Sequence, residues 1–525
     1  ASPDGRPCRF GDHYARETVS ISGLWINLWK LAGGAVMAAD GDGIFSDIGK
    51  GRPGAVLEPP PDNRAAHRAA FGFAFANPDW SARDRFSEPQ ARAIRRILSV
   101  AGCLGLVWPD VLLAAVSVAG IVLFAAILVF RAALYIHGAA EGAAPTPTEA
   151  GPLPVYTLLI ALKDEAATAP QLAAAIRALD YPPQQLDVKL LIEAGDASTR
   201  TALLAEGWPA GTELLTLPPG LPRTKPRALN YGLARALGEF VVVYDAEDRP
   251  HPDQLRAAVQ AFRDSGPELA CVQAPLAGEG QRGWIAGQWA LEYALQFGRL
   301  LPAQAALGLP VMLGGTSNHF RRSALEAAGG WDAWNVTEDA DLGLRLARIG
   351  CRVGVIPQPT LEAPPERLLV WVNQRSRWLK GFLQTWLVLM RSPRAAISQL
   401  GWAGFLSVQL TLGAAILSAL VHGPWSLWLL AGLCFPGLAP AQGFLWLAGL
   451  SYAASMLMAA WAPGRKDARR IWLAATLPLY WPLQTLAMGR ALWGMARCPH
   501  FWAKTPHVPE SSVSKPKRSA AVPAG

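Results

Sequence analysis

The sequence predicts a mostly parallel, Rossmann-like α/β sheet domain combined with α-helical transmembrane segments. Three observations carry that expectation. Hydrophobic residues make up 51% of the 525 and charged residues only 17%, against about a quarter charged in a soluble chain. Residues 395–464 contain no Asp, Glu, Lys or Arg, and residues 111–130 form a second charge-free run; about 20 such residues cross a bilayer as a helix. From residue 155 onward, short apolar runs alternate with amphipathic helical patterns, as in a parallel sheet covered on both faces.

The chain divides by composition. Residues 1–90 are rich in Gly, Pro, Asp and Arg and carry no readable role; partial disorder and a degenerate small domain both fit. An apolar bias over 19–37 is interrupted by Lys30, Gly33 and Gly34. Residues 91–136 hold the N-terminal membrane segment or segments, broken at Trp108-Pro109-Asp110. Either two spans form a hairpin or one span follows an interfacial helix, and Arg92, Arg95, Arg96 and Arg131 at the two ends favour the hairpin. A Gly/Ala/Pro/Thr linker occupies 137–154, the soluble domain 155–366, an interfacial helix region 367–394, C-terminal membrane helices 395–497 and a basic tail 498–525. Four to six spans are expected in all.

The net charge of +8 is accounted for by basic residues at the ends of spans, among them Arg391, Arg394, Arg465, Lys466, Arg469 and Arg470. That pattern predicts a multi-pass protein of the inner (plasma) membrane with its soluble domain in the cytoplasm. It argues against nucleic acid, since no basic and aromatic residues interleave on a binding module. The six cysteines lie far apart without zinc or disulfide spacing, and read as buried, reduced thiols.

Sheets of this kind place ligands beyond the carboxyl ends of their strands. A strand over 155–161 ends in Lys163-Asp164-Glu165, and a helix covers 171–179. A strand over 188–192 ends in Glu193-Ala194-Gly195-Asp196; after a helix over 228–237, a third strand, 240–244, runs into Asp245-Ala246-Glu247-Asp248. Asp245 and Glu247 can hold a hard cation, magnesium or manganese, through few carboxylates plus substrate phosphates; a solvated acidic turn is the plainer alternative. Thr337-Glu338-Asp339 opens a helix over 340–349, where acids suit the helix dipole and a carboxylate can also serve as general base. Asp341, one turn on, serves the helix. Gln374-Arg375-Ser376-Arg377-Trp378 lies on a helical stretch over 367–390. Its arginines offer forks for phosphate oxygens and its Trp a face for a sugar ring; a juxtamembrane basic-aromatic belt is the other reading.

Taken in this order and spacing, these elements resemble the family 2 glycosyltransferases of the processive, membrane-embedded type, as in cellulose synthase and hyaluronan synthase. The resemblance covers about 155–391 and reaches Lys225-Pro226-Arg227, Gly314-Gly315-Thr316-Ser317-Asn318 and Trp331-Asp332. Bacterial relatives of unassigned polysaccharide specificity also end in a Trp-x-Lys-Thr-x-His phrase like that at 502–507. The resemblance implies a GT-A fold and inverting transfer from a nucleotide-diphosphate sugar, a UDP-sugar first, onto a growing polysaccharide. It implies a metal held by Asp245 and Glu247, and catalysis by Asp339 with Glu338 beside it. Donor binding falls to Lys163, Glu165, Glu193, Asp196, Lys225, Arg227, Asp245, Gln374 and Arg377, and acceptor binding to Gly315, Thr316 and Trp378. Gly195 departs from the family's pattern, standing where an acidic residue is usual.

Two other outcomes stay open: addition of a single sugar to a lipid carrier, and a membrane receptor or scaffold that has kept the fold and lost catalysis. The later spans lack ionisable residues, which argues against an ion-coupled transporter. Trp402, Gln409, Trp425 and Trp428 could line a polysaccharide channel. An export partner is not identified by the sequence.

Overall fold

The computed structural model describes residues 56–140, 151–280, 283–435, 437 and 442–502. The apolar 19–37 segment, the middle of the 137–154 linker, and the tail beyond Trp502 lie outside these residues.

The strands are β1 (Tyr156–Leu162), β2 (Leu186–Glu193), β3 (Glu213–Leu217), β4 (Phe240–Tyr244), β5 (Arg249–Pro250), β6 (Leu269–Gln273), β7 (Leu276–Gly278), β8 (Asn318–Arg321), β9 (Arg352–Val355) and β10 (Thr360–Glu362). One sheet has seven strands in the order β3-β2-β1-β4-β8-β6-β9, and β5-β10-β7 form a second sheet of three. Neighbours in the large sheet are parallel, except that β8 runs antiparallel to both β4 and β6.

The continuous apolar runs of β1, β2 and β4 follow from burial on both faces. Leu158, Ile160, Val188, Leu190, Val242 and Tyr244 point into one core, while Leu159, Leu191, Val241 and Val243 point into the other. Such alternation is what a strand's period of two imposes. The short β3 was not foreseen, so the expected third strand, 240–244, is the fourth in chain order. Two helices begin earlier than expected, at Ala169 and Lys225, because a proline suits the first helical turn rather than ending it.

The N-terminal region needs the largest correction. Residues 56–87 are neither disordered nor a separate domain, but part of the sheet domain's cover. The helix Asn63–Ala76 buries Ala66, Ala69, Ala70, Phe73 and Ala74 along one face. Asp62 caps it, accepting from the Arg64 and Ala65 N–H groups at 2.8 and 3.0 Å. The Asn230 amide donates to the Ala69 carbonyl (3.1 Å), and the Trp334 indole to that of Ala70 (2.9 Å). Further on, Asp332 accepts from the Ser81 hydroxyl at 3.0 Å. Asp332→Ala is expected to strand the buried Ser81 hydroxyl and the Ala82 and Trp334 N–H groups and cost about 1–3 kcal/mol. Earlier proteolysis within 56–87 on warming would show it.

Among the described residues, three helices are long and apolar enough to cross a membrane: Pro109–Gly138, Pro393–Cys434 and Gln442–Trp461. That is fewer than the four to six expected. The preceding helix Glu88–Val107 is not among them; it is 20 residues long but carries Glu88, Arg92, Arg95 and Arg96. Its arginines 92, 95 and 96 lie within the helix, not beyond its end. Of the last two helices in the expected 395–497 membrane block, neither Ala468–Ala475 nor Leu477–Arg497 qualifies. The long Pro393–Cys434 segment kinks at Gly401, whose φ of 68° suits glycine. Of the cysteines, Cys271 is a buried free thiol as expected, whereas Cys103 and Cys434 are free but exposed and Cys498 is disulfide-bonded.

Candidate active site

Beyond the carboxyl ends of β1, β2 and β4 lies a cavity of about 1110 Å³ that continues between the membrane helices. Lys163, Glu165, Glu193, Lys225, Asp245, Glu247, Gly315, Thr316, Glu338, Asp339, Gln374, Arg377 and Trp378 all line it. Positions 225 to 378 are thus brought to one space by three structural devices: a strand end, a helix start and a helix face.

Lys225, in the first turn of the helix Lys225–Leu233, is the hub. Its ammonium pairs with the Asp245 carboxylate and donates to the Gly315 carbonyl at 2.7 Å. Burial works against that charge, yet Asp245 and Glu338 hold the Lys225 pKa above its ordinary value. On the other side, a Cβ added to Gly315 would stand 3.5 Å from Asp339 Oδ2. Metal-side and base-side carboxylates therefore flank one short stretch of backbone.

Asp339 and Glu338 sit in the first turn of the helix Glu338–Arg348. Burial raises the Asp339 pKa from its ordinary value, against the pull of Lys225 and Arg377. Burial, then the neighbouring Asp339 charge, pushes Glu338 up to about 8.

Asp245 and Glu247 have company that the sequence reading passed over. Asp248 is buried, accepts from the Asp245 N–H at 2.7 Å and takes the Thr316 hydroxyl. Burial, then the charges of Asp245 and Glu247, raise its pKa well above normal. Glu362, at the end of β10, lines the same cavity and is raised likewise, by burial and by Asp248, Glu247 and Asp245. Thr360 anchors that strand, bonding to Ser317 (2.6 Å) and Gln254 (3.0 Å). This crowding of acids around one Lys fits a hard divalent cation that a diphosphate would help hold. Among the described residues no group of three or more His, Cys, Asp or Glu makes a ready cage, so Asp245 and Glu247 would hold it with substrate oxygens.

On the helix Leu368–Leu389, Gln374, Arg377 and Trp378 share one face at i, i+3 and i+4. Gln374 Oε1 and Arg377 Nε are buried without partners among the described residues, as expected of groups that meet a ligand. The Arg377 guanidinium lies 4.6 Å from the centre of the Trp502 ring, and Trp378 stacks near Tyr293 at 6.3 Å. Arg375 also lines the cavity, where it pairs with Glu292.

Three of the expected ligand-binding residues are otherwise engaged. Asp196 does not line the cavity; it caps the helix Ala197–Leu204 through the Thr199 N–H (3.1 Å) and accepts from the Asp164 N–H (2.6 Å). Arg227 is buried outside the lining, donating to the Pro218 carbonyl (2.5 Å) with Glu193 at 3.4 Å. Thr316 turns its hydroxyl inward, to Asp248 and the Val243 carbonyl. Gly195 has a φ of +95°, a conformation that an acidic residue would adopt only with strain. Of the four channel candidates, Trp425 and Trp428 line the cavity, whereas Trp402 is 65% exposed and Gln409 bonds to Trp386 at 2.9 Å.

Comparison with known proteins meets this site directly. The model of glycosyl transferase family group 2 matches residues 240–463, a stretch that contains Asp245, Glu247, Asp339 and Arg377. The chain is 29% identical over 300 residues to a beta-monoglucosyldiacylglycerol synthase of Synechocystis sp., covering 53% of this chain and 61% of that one. It is 28% identical over 212 residues to cellulose synthase 2 of Novacetimonas hansenii, covering 39% of this chain and 13% of that one. The chain thus spans less than two thirds of these relatives. Among solved structures, a mannosyltransferase of Pyrobaculum calidifontis, in complex with GDP-Man and Mn2+, matches at a TM-score of 0.43 and 20% identity, over 71% of this chain and 98% of that one. Residues 240–463 of this chain are thus similar to a family 2 glycosyltransferase domain.

Proposed function

We propose that this chain is a family 2 glycosyltransferase, which moves a sugar, with inversion, from a nucleotide-diphosphate sugar to an acceptor hydroxyl that arrives from the membrane side. The observation that carries the proposal is that Asp245, Glu247, Asp339 and Arg377 line one cavity, and that this cavity continues between membrane helices.

Asp245 and Glu247 would hold magnesium or manganese, which neutralises charge on the leaving diphosphate. Lys163, Lys225 and Arg377 surround that charge, with Arg377 offering a fork to phosphate oxygens. Gln374 brings an unpaired amide oxygen to the donor. Glu165 and Glu193, at the ends of β1 and β2, border the nucleotide end. Asp339 takes the proton of the acceptor hydroxyl as it attacks the face opposite the departing diphosphate, which gives a β-linked product from an α-linked donor. A UDP-sugar is the donor we expect. The site opens to the cytoplasm of a multi-pass protein of the inner membrane.

The acceptor we favour is a membrane lipid. Between the spans the wall is built of Gly120, Leu123, Phe124, Trp425, Phe444 and Leu447, surfaces that suit acyl chains. The second reading is a growing β-glycan. Its support is a polar-aromatic group on the same wall, where the His422 ring lies 5.4 Å from Trp481, and Tyr452 5.1 Å from Trp481. Incubating membranes with a panel of UDP- and GDP-sugars tests both. Radiolabel in solvent-extractable lipid supports the first, label in insoluble polymer the second, and neither product would defeat the proposal.

Trp378→Ala is expected to lower acceptor transfer about tenfold, the equivalent of ~1.4 kcal/mol, with less effect on donor hydrolysis. The ratio of transferred to free sugar is the measurement.

A further inference from the structure

We propose that the cavity binds an anionic phospholipid whose phosphate rests on the Arg131 guanidinium. The sequence treats Arg131 as one of several residues marking the end of a span. In the structure it lines the cavity, on the same helix face as Gly120, Phe124, Ile127 and Leu128. Its helix starts at Pro109, so Arg131 stands about 33 Å along the axis. That is one hydrocarbon thickness of about 30 Å, the depth of lipid headgroups.

No hydrogen bond or ion pair to another described residue satisfies this guanidinium. The carboxylate whose charge reaches it is Glu292, and Glu292 is already committed. It pairs with Arg375 and accepts the Tyr480 hydroxyl at 2.9 Å, which in turn accepts from the Trp371 indole at 2.8 Å. Two guanidinium groups therefore share one carboxylate in a space with largely apolar walls. A charge in such a cavity without a full partner is costly. A phosphate supplies the missing negative charge and matches the arginine fork. A free phosphate ion offers the same chemistry, but the apolar wall beyond Arg131 gives it nothing to bury. A phosphatidic-type lipid places its acyl chains there.

Only the lipid's role as acceptor rests on the proposed reaction; its binding does not. The test uses the full chain, purified in detergent and delipidated, with bound lipid counted by native mass spectrometry during titration with phosphatidylglycerol or phosphatidylcholine. Wild type is expected to prefer phosphatidylglycerol, and Arg131→Met to lose about tenfold or more of that affinity, the worth of one charge-assisted hydrogen bond. Arg131→Lys should retain part of it. Equal retention by Arg131→Met and wild type overturns the inference. So does a wild type with no preference for the anionic lipid, a result that needs no variant to fold. If inorganic phosphate displaces the lipid as well as added phosphatidylglycerol does, the ligand is a free anion and the lipid assignment falls. Arg131-dependent binding without any glycosylated lipid would leave this inference standing and remove the lipid-acceptor reading instead.

Discussion

Asp339→Asn should reduce sugar transfer by about 10²–10⁴, the usual contribution of a general base, while leaving donor affinity within a few-fold of wild type. The reasoning is geometric. The Asp339 carboxylate borders Gly315, whose carbonyl is held by the same Lys225 that pairs with Asp245. It therefore faces the reacting centre without contributing to the metal pair. An asparagine keeps the shape and the helix-start position but cannot accept the proton. The pH profile should agree. Burial raises the Asp339 pKa, so the base is protonated and inactive at low pH. The acidic limb of kcat/KM should then lie above the ordinary carboxylate value of about 4. Transfer by Asp339→Asn at the wild-type rate would remove Asp339 from this role.

Removal of divalent cations should abolish transfer, and magnesium or manganese should restore it. Lewis-acid stabilisation of a leaving phosphate is worth several kcal/mol, or about three orders of magnitude in rate. Asp245→Asn should lose a similar amount and should not be rescued by added metal. The physical ground is electrostatic. Burial, with the charges of neighbouring carboxylates adding to it, pushes Asp248 and Glu362 well up, and Lys225 pairs with Asp245. Adding a diphosphate to that site without a cation would raise the repulsion further. Full activity in excess chelator would defeat the assignment of Asp245 and Glu247.

The parts of the fold that the sequence made legible are those whose physics is local. β1, β2 and β4 read as strands because both faces are buried, which leaves an unbroken apolar run, and each run ends in the polar loop that carries the site. Asp245, Asp339 and Arg377 could be found because each sits where one element gives way to another or on one face of a long helix.

What escaped is non-local. The helix Asn63–Ala76 covers the core with alanines, too small to leave a strong hydrophobic period, so its segment read as partial disorder or a degenerate small domain. Asp196 looked like a ligand because its neighbours match the strand-end pattern, yet an Asp at that position is also a good helix cap, and capping won. Thr316 was placed at the acceptor by its loop, but the burial of Asp248 beneath it recruits its hydroxyl. Glu292 and Arg375 lie 83 residues apart, and no pattern in the chain announces their pairing. For Arg131 the sequence pattern marked the end of an apolar run and said nothing of the cavity that it lines.

The central claim is that the metal pair and Arg377 act together on one diphosphate. Calorimetry of UDP binding to the full chain in nanodiscs, with and without manganese, tests it most directly for wild type, Asp245→Ala and Arg377→Ala. The account predicts binding that requires the metal in wild type and is weakened about tenfold or more by either substitution. Metal-independent binding of equal strength in all three proteins would contradict it.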